Sequence, residues 1–75
     1  MPSERRGPAR VPKLTRREKD IVSELLDGHG NREIAQRLGV SAQTVKNGLS
    51  KLYRKLGVGG RVGLVRFADK NRLLD

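Results

Sequence analysis

Residues 31–56 read NREIAQRLGVSAQTVKNGLSKLYRKL, and this stretch decides the fold. Apolar side chains at helical spacing predict a short helix over residues 31–38. Gly39 follows as part of a tight turn, because glycine adopts a left-handed backbone without a steric clash. Ser41 then predicts the N-cap of a longer helix over residues 41–56.

Two further helices complete an expected all-α domain over residues 14–75. Thr15 and Glu18 have the spacing of a capping box, in which the hydroxyl and the carboxylate each bind a free backbone amide. They predict a first helix over residues 15–27. A fourth helix is expected over residues 61–70, after a glycine-rich break. Strand signals are weak throughout, so we predict four helices and no sheet.

The charge is placed unevenly along the chain. Lys and Arg number 17 against 8 Asp and Glu, and the net charge is +9. Residues 1–13 hold all three prolines and are expected to form a flexible basic arm. Residues 18–40 carry a net charge of −2, whereas residues 41–66 carry +6 and contain no acid. A basic excess on the ordered part of the chain favours a polyanionic partner, nucleic acid above all.

Composition excludes several classes of protein. The chain has 75 residues, no cysteine and one histidine, which leaves no disulfide framework, no thiol nucleophile and almost no ligands for a metal. We therefore expect neither an enzyme nor a bound cofactor, metal or small molecule. No apolar run approaches the length of a membrane span, and the first residues lack the apolar stretch of a signal peptide. The expected compartment is the cytoplasm, with no membrane partner.

A helical wheel divides the third predicted helix into two faces. One face is apolar and holds Val45, Leu49, Leu52 and Leu56. The opposite face holds amides, a small hydroxyl and cations: Asn47, Arg54, Gln43, Ser50 and Lys51, with Lys46 at one margin. Side chains of these types bind base edges and phosphates. A solvated face usually mixes both charge signs, so the absence of acids favours a helix-turn-helix that meets duplex DNA.

Four blocks of sequence carry a family resemblance. They are Leu14-Thr15-x-Arg17-Glu18, Asn31-x-Glu33-Ile34-Ala35-x-x-Leu38, Val40-Ser41-x-x-Thr44-Val45-Lys46-Asn47 and Lys55-Leu56-Gly57-Val58. In this order and at this spacing they resemble the LuxR-type helix-turn-helix domain of the FixJ, NarL and GerE group. The resemblance covers about residues 13–70. It implies a four-helix domain whose third helix enters the major groove and whose fourth helix commonly pairs two copies.

The resemblance and the wheel together supply the predicted contact residues. Base contacts are expected from Lys46, Asn47, Ser50 and Gln43. Phosphate contacts are expected from Asn31, Arg32, Thr44, Lys51 and Arg54. The interface of a homodimer on DNA is expected at Val62, Val65, Arg66 and Asp69.

Two glycines depart from the family pattern. Gly48 stands where the family usually has histidine, and Gly30 stands where it usually has a serine cap. For Gly48 we consider a lost phosphate contact, a close approach of the backbone to DNA, and drift at a tolerant position. Gly48→His is expected to raise thermal stability, because glycine inside a helix costs about 0.5–1 kcal/mol, and not to abolish DNA binding. His29, between two glycines, is interpreted as a loop residue.

The predicted function is sequence-specific binding of double-stranded DNA by a bacterial transcriptional regulator. The chain is either a complete small regulator or the output domain of a response regulator in a two-component system. Its Pro- and Arg-rich start resembles an interdomain linker and favours the second reading. RNA polymerase is a further candidate partner. Two alternatives stay open: a promoter-binding module like that of a sigma factor, and a protein-interaction adaptor that uses Val62, Val65, Phe67 and Ala68.

Overall fold

The computed structural model describes residues 12–74 and folds them into four helices. These are α1 (Arg16–Leu26), α2 (Asn31–Leu38), α3 (Ala42–Leu56) and α4 (Arg61–Asn71). The described residues contain no strand, so the prediction of an all-α, four-helix domain is confirmed. The predicted basic arm lies outside the described residues apart from Pro12 and Lys13.

The predicted capping signals place the ends of the helices. The Thr15 hydroxyl accepts a hydrogen bond from the Glu18 amide at 3.1 Å, and the Glu18 carboxylate accepts one from the Thr15 amide at 2.8 Å. Ser41 caps α3 by accepting from the Thr44 amide at 3.0 Å. Gly30 precedes α2 and forms no side-chain cap. The capping box and the serine cap therefore begin α1 and α3 where the sequence predicts.

A glycine ends each of the two helices on either side of the turn, α2 and α3. Gly39 follows α2 with φ 70°, and Gly57 follows α3 with φ 69°. Both lie in the left-handed region, which costs other L-residues free energy. The sharp turn at Gly39 brings α3 across α2, so the two helices share one side of the core.

One apolar core joins all four helices. Ile21, Val22, Ile34, Val45, Leu52 and Leu64 have at most 1% of their surface exposed. Leu14 precedes the α1 cap and is also buried in this core. The described residues contain no buried polar or charged side chain, so apolar burial dominates the stability of the domain.

Helix α4 buries only one of the four apolar residues that the sequence analysis assigns to its surface. Its buried residues are Leu64 and Ala68, whereas Val62 is 71% exposed and Val65 is 37% exposed. The apolar surface predicted from Val62, Val65, Phe67 and Ala68 is therefore partly wrong, because Ala68 points into the core. Leu64, which the sequence pattern did not single out, anchors α4. Among residues 12–74, no helix combines the length and hydropathy needed to cross a membrane.

Candidate nucleic-acid interface

The side of α3 opposite the core is exposed and basic. Val45, Leu49, Leu52 and Leu56 are buried, as the helical wheel predicts. All six polar side chains of the wheel's other face are exposed: Gln43, Lys46, Asn47, Ser50, Lys51 and Arg54. Among residues 12–74, no carboxylate lies within ion-pairing distance of Lys46, Lys51 or Arg54. Their positive charges are thus available to an anion. We call these six residues the α3 polar face.

Hydrogen bonds orient two parts of the α3 polar face. Gln43 Nε2 donates to Asn47 Oδ1 at 3.0 Å, one helical turn apart. This bond leaves the Asn47 amide nitrogen and the Gln43 carbonyl oxygen as a donor and an acceptor at the surface. Thr44 is exposed beside them, and its hydroxyl lies 2.9 Å from that of Ser41. The start of α3 therefore presents ordered polar groups rather than independent side chains.

The start of α2 holds the other two predicted phosphate contacts. Arg32 is exposed, whereas Asn31 is half-buried. The Asn31 carbonyl oxygen accepts from Arg61 Nη1 at 3.4 Å, and Arg61 Nη2 also donates to the His29 carbonyl. Arg61 of α4 therefore fixes the loop before α2 and occupies the acceptor of Asn31. The Asn31 amide nitrogen is left as its donor toward an anion.

His29 lies in the loop between α1 and α2, as predicted, but it is not isolated. Its Nδ1 lies 3.1 Å from Glu33 Oε1, and its Nε2 lies 3.6 Å from Glu24 Oε1. Glu24 also accepts a hydrogen bond from Arg37 Nε. This cluster joins α1 to α2 on the side of Glu33, which has no serine cap to bind because Gly30 stands at the N-cap.

Glu18 joins α1 to α3. Its Oε1 accepts from the Thr15 amide and from Lys55 Nζ, each at 2.8 Å. Partial burial by itself raises the pKa of Glu18, but the hydrogen bonds from Lys55 and Thr15 and the charge of Lys55 hold that pKa below its ordinary value. The capping box therefore also anchors the last turn of α3.

Gly48 lies where α3 meets α1. A β-carbon at Gly48 would lie 2.8 Å from Cδ1 of Ile21, closer than real β-carbons approach other atoms. Ile21 is only 1% exposed, so its terminal methyl group would have to shift within the core. The neighbour is the terminal methyl group of a flexible side chain, so drift at position 48 stays one of the three interpretations of Gly48. In Gly48→His, the displacement of the Ile21 methyl group opposes the predicted gain in stability.

The predicted dimer residues all lie on the outer side of α4. Val62, Val65, Arg66 and Asp69 are exposed. Arg66 and Asp69 also line a shallow depression of about 700 Å³, with Phe67 beside them. An apolar pair next to a cation and an anion is the type of surface that can pair with a second copy of itself.

Three cations of the site were not among the predicted contacts. Lys55 binds Glu18, Arg61 binds the loop before α2, and Arg17 lies beside the α3 polar face. Lys55 and Glu18 are 37 residues apart, and Arg61 and His29 are 32 apart. No periodicity in the sequence links such pairs. The described residues contain no cluster of side chains suited to holding a metal ion.

Comparison with known proteins shows the family to which the chain belongs. Residues 12–68 match the GerE family, described as bacterial regulatory proteins of the luxR family. The transcriptional regulatory protein YhcZ of Bacillus subtilis is 47% identical over 60 residues, which cover 80% of this chain and 28% of that protein. The transcriptional regulatory protein MctR of Rhizobium johnstonii is 40% identical over 55 residues, or 73% of this chain and 26% of its own length. The oxygen regulatory protein NreC of Staphylococcus aureus is 39% identical over 62 residues, or 83% and 29%.

Helices α2 and α3 and the turn between them form a helix-turn-helix. The chain belongs to the luxR family of bacterial regulatory proteins. It spans less than a third of the length of the three relatives described above.

Proposed function

We propose that α3 enters the major groove of duplex DNA and reads its sequence there. The observation that carries this proposal is the α3 polar face, which is exposed, contains three cations without carboxylate partners among residues 12–74, and lies opposite the core. The B-DNA major groove is wide enough to admit one α-helix.

The side chains of the interface divide by chemistry. We assign base contacts to Gln43, Lys46, Asn47 and Ser50, because amides, hydroxyls and a cation on the exposed side of a recognition helix can reach base edges. We assign phosphate contacts to Asn31, Arg32, Thr44, Lys51 and Arg54. Phosphate contacts set the register of the protein on the duplex, and base contacts supply the specificity.

Two copies are proposed to bind one site through α4. Val62 and Val65 are the exposed apolar residues of α4, and Arg66 and Asp69 flank them. A two-fold pairing lets Arg66 of one copy meet Asp69 of the other while the valines bury each other. Such a dimer would read a site with two-fold symmetry.

The chain is proposed to act as the DNA-binding output domain of a longer cytoplasmic regulator, of the response-regulator type. The support is that it covers only about a quarter of each of several regulators named above. RNA polymerase is the proposed second protein partner, because a regulator that binds beside a promoter acts on the polymerase that starts there.

Selection from a pool of random duplexes tests this function most directly. We expect recovery of one preferred site with two-fold symmetry, whose half-sites lie about 10 base pairs or a multiple of that apart. Recovery of unrelated sequences would contradict base reading, and an asymmetric site would contradict the dimer.

The salt dependence of affinity supplies an independent measurement. If each copy contacts about 4–6 phosphates, log K should fall with log salt at a slope near −4 to −5 per copy. Fluorescence anisotropy with a selected duplex measures this slope. An affinity that does not change with salt would exclude the proposed contacts.

A further inference from the structure

A groove separates the start of α1 from the α3 polar face. Its volume is about 370 Å³, and Ile21 and Gly48 lie among the residues that line it. Arg17, Thr44, Asn47 and Lys51 line it as well. Gly48 leaves the groove open at this point because it has no side chain. A β-carbon at position 48 would occupy the space next to Ile21.

The charge of the groove suits an anion. Arg17 and Lys51 are exposed, and neither forms an ion pair within residues 12–74. The one acid in the lining is Glu18, whose carboxylate already binds Lys55 and the Thr15 amide. The lining therefore contains two cations that form no ion pair within residues 12–74, and one carboxylate whose charge Lys55 already balances. The lining is positive overall, and the Thr44 hydroxyl adds a hydrogen-bonding group.

The shape and chemistry of the lining fit one unit of a DNA backbone. A phosphodiester needs cations and hydroxyl donors, and the deoxyribose attached to it presents C–H groups that suit an apolar surface. The groove provides the cations and a hydroxyl through Arg17, Lys51 and Thr44, and Gly48 leaves bare backbone beside them for the sugar, whereas Ile21 is almost wholly buried. It also borders Asn47 and Lys51, which belong to the proposed DNA interface.

We propose that this groove seats one phosphodiester of the bound duplex with its deoxyribose, through Arg17 and Lys51, and that Gly48 is required for that seat. The inference rests on the proposed function, since α3 must lie in the major groove for a strand to reach it. It adds Arg17 to the DNA contacts and gives Gly48 a role as a positioning residue. The bare backbone at Gly48 lets the strand approach α3 more closely than a side chain would permit.

The contribution of Arg17 is tested with two charge-removing variants on α1. Arg17→Gln removes a cation that lines the groove, and Lys19→Gln removes an exposed cation of the same helix that does not. Anisotropy against salt is measured with a fluorescein-labelled duplex from the selection. For Arg17→Gln we expect about three- to tenfold weaker binding and a salt slope smaller in magnitude by about 0.9, the value of one phosphate contact. Lys19→Gln should keep the wild-type slope.

The requirement for Gly48 is tested with a matched pair of glycines. Gly48→Ala and Gly63→Ala each add one methyl group inside a helix, and each new β-carbon contacts a neighbour, Ile21 at 2.8 Å and Val58 at 3.3 Å. Thermal melting shows first that both variants fold. We expect Gly48→Ala to bind the duplex about two- to fivefold more weakly and Gly63→Ala to bind as the wild type does.

The outcomes separate this inference from the proposed function. Equal slopes for Arg17→Gln and Lys19→Gln, or equal affinities for the two alanine variants, would overturn the groove while wild-type binding still supports the function. A wild-type protein with no salt-dependent affinity for any duplex would instead remove the proposed function and the groove with it. If Gly48→Ala fails to fold, the comparison of Arg17→Gln with Lys19→Gln still decides whether the groove binds a phosphate.

Discussion

Lys55 Nζ lies 2.8 Å from Glu18 Oε1 and so joins the last turn of α3 to the first turn of α1. The same carboxylate oxygen accepts the Thr15 amide of the capping box, also at 2.8 Å. One carboxylate therefore begins one helix and holds the end of another. Because it joins α3 to α1, this ion pair helps to fix the orientation of the α3 polar face on the domain.

Removal of the Lys55 cation should destabilise the domain. Lys55→Gln leaves the Glu18 carboxylate, whose side chain is 14% exposed, without its charged partner. We expect the free energy of unfolding to fall by about 1 kcal/mol, the usual scale for a partly exposed charged hydrogen bond. Urea denaturation at neutral pH measures this. Lys70→Gln, at an exposed position on α4, is the control and should stay close to wild type.

Acid should weaken the domain through Glu18. Its pKa in the folded state is lower than the ordinary value of 4.5, so the unfolded chain binds the proton more tightly. The stabilisation is therefore complete above the unfolded-state pKa and is lost as pH falls through the folded-state pKa. Urea titrations from about pH 7 to about pH 3 should show this loss, and Glu18→Gln should show less of it. Identical acid limbs in the two proteins would argue against the assignment.

Replacement of Arg61, even by lysine, should destabilise the domain. Its guanidinium donates to both the His29 carbonyl and the Asn31 side chain, and a lysine amine cannot reproduce a planar pair of donors. We expect Arg61→Lys to lower the free energy of unfolding by about 1 kcal/mol. Arg66→Lys, on the exposed side of the same helix, is the matched control. Equal stability of the two variants would mean that these hydrogen bonds contribute nothing.

Leu64 should be the most sensitive residue of α4. It is completely buried, and Leu64→Ala should lower the free energy of unfolding by about 2–5 kcal/mol through lost burial and a cavity. Val62→Ala removes apolar atoms from an exposed site and should change monomer stability by about 0.5 kcal/mol or less. Thermal melting of dilute protein compares them. Light scattering in the presence of DNA measures dimer formation, which Val62→Ala should weaken.

Asn47 and Lys51 should differ in the kind of binding they supply. Asn47→Ala is expected to relax base preference at one position of the selected site, at a cost of about 1–3 kcal/mol. Lys51→Ala should weaken binding to all duplexes alike and reduce the magnitude of the salt slope by about 0.9. Repeating the selection and the salt titration with both variants makes the comparison. A sequence preference altered by Lys51→Ala would reverse the assignment.

Local signals in the sequence predicted the helices well. The capping box at Thr15 and Glu18, the Ser41 cap and the glycines after α2 and α3 all act within four residues, and each is present in the structure. In α4 the local pattern does not separate core from surface, because apolar residues such as Val62 and Leu64 lie on both sides of the helix. Only the crossing of α4 over the bundle decides that Leu64 and Ala68 turn inward.

The residues of the candidate interface also differ in whether the sequence alone identifies them. The periodicity of α3 alone separated its buried apolar side from the α3 polar face, because one helix turns by a constant angle per residue. Periodicity assigns no role to Arg17, which reaches the groove from α1, or to Gly48, whose missing side chain matters only because Ile21 lies opposite. Those relationships depend on how two helices cross.

By itself, the sequence determined the four helices, their caps, the acid-free face of α3 and the family, since all of these depend on neighbours a few residues apart. The tertiary structure alone decided the ion pair of Glu18 with Lys55, the hold of Arg61 on the loop before α2, and the groove at Gly48. Each brings together groups from different helices. Their contact follows from how the helices bury a shared core, which no local spacing specifies.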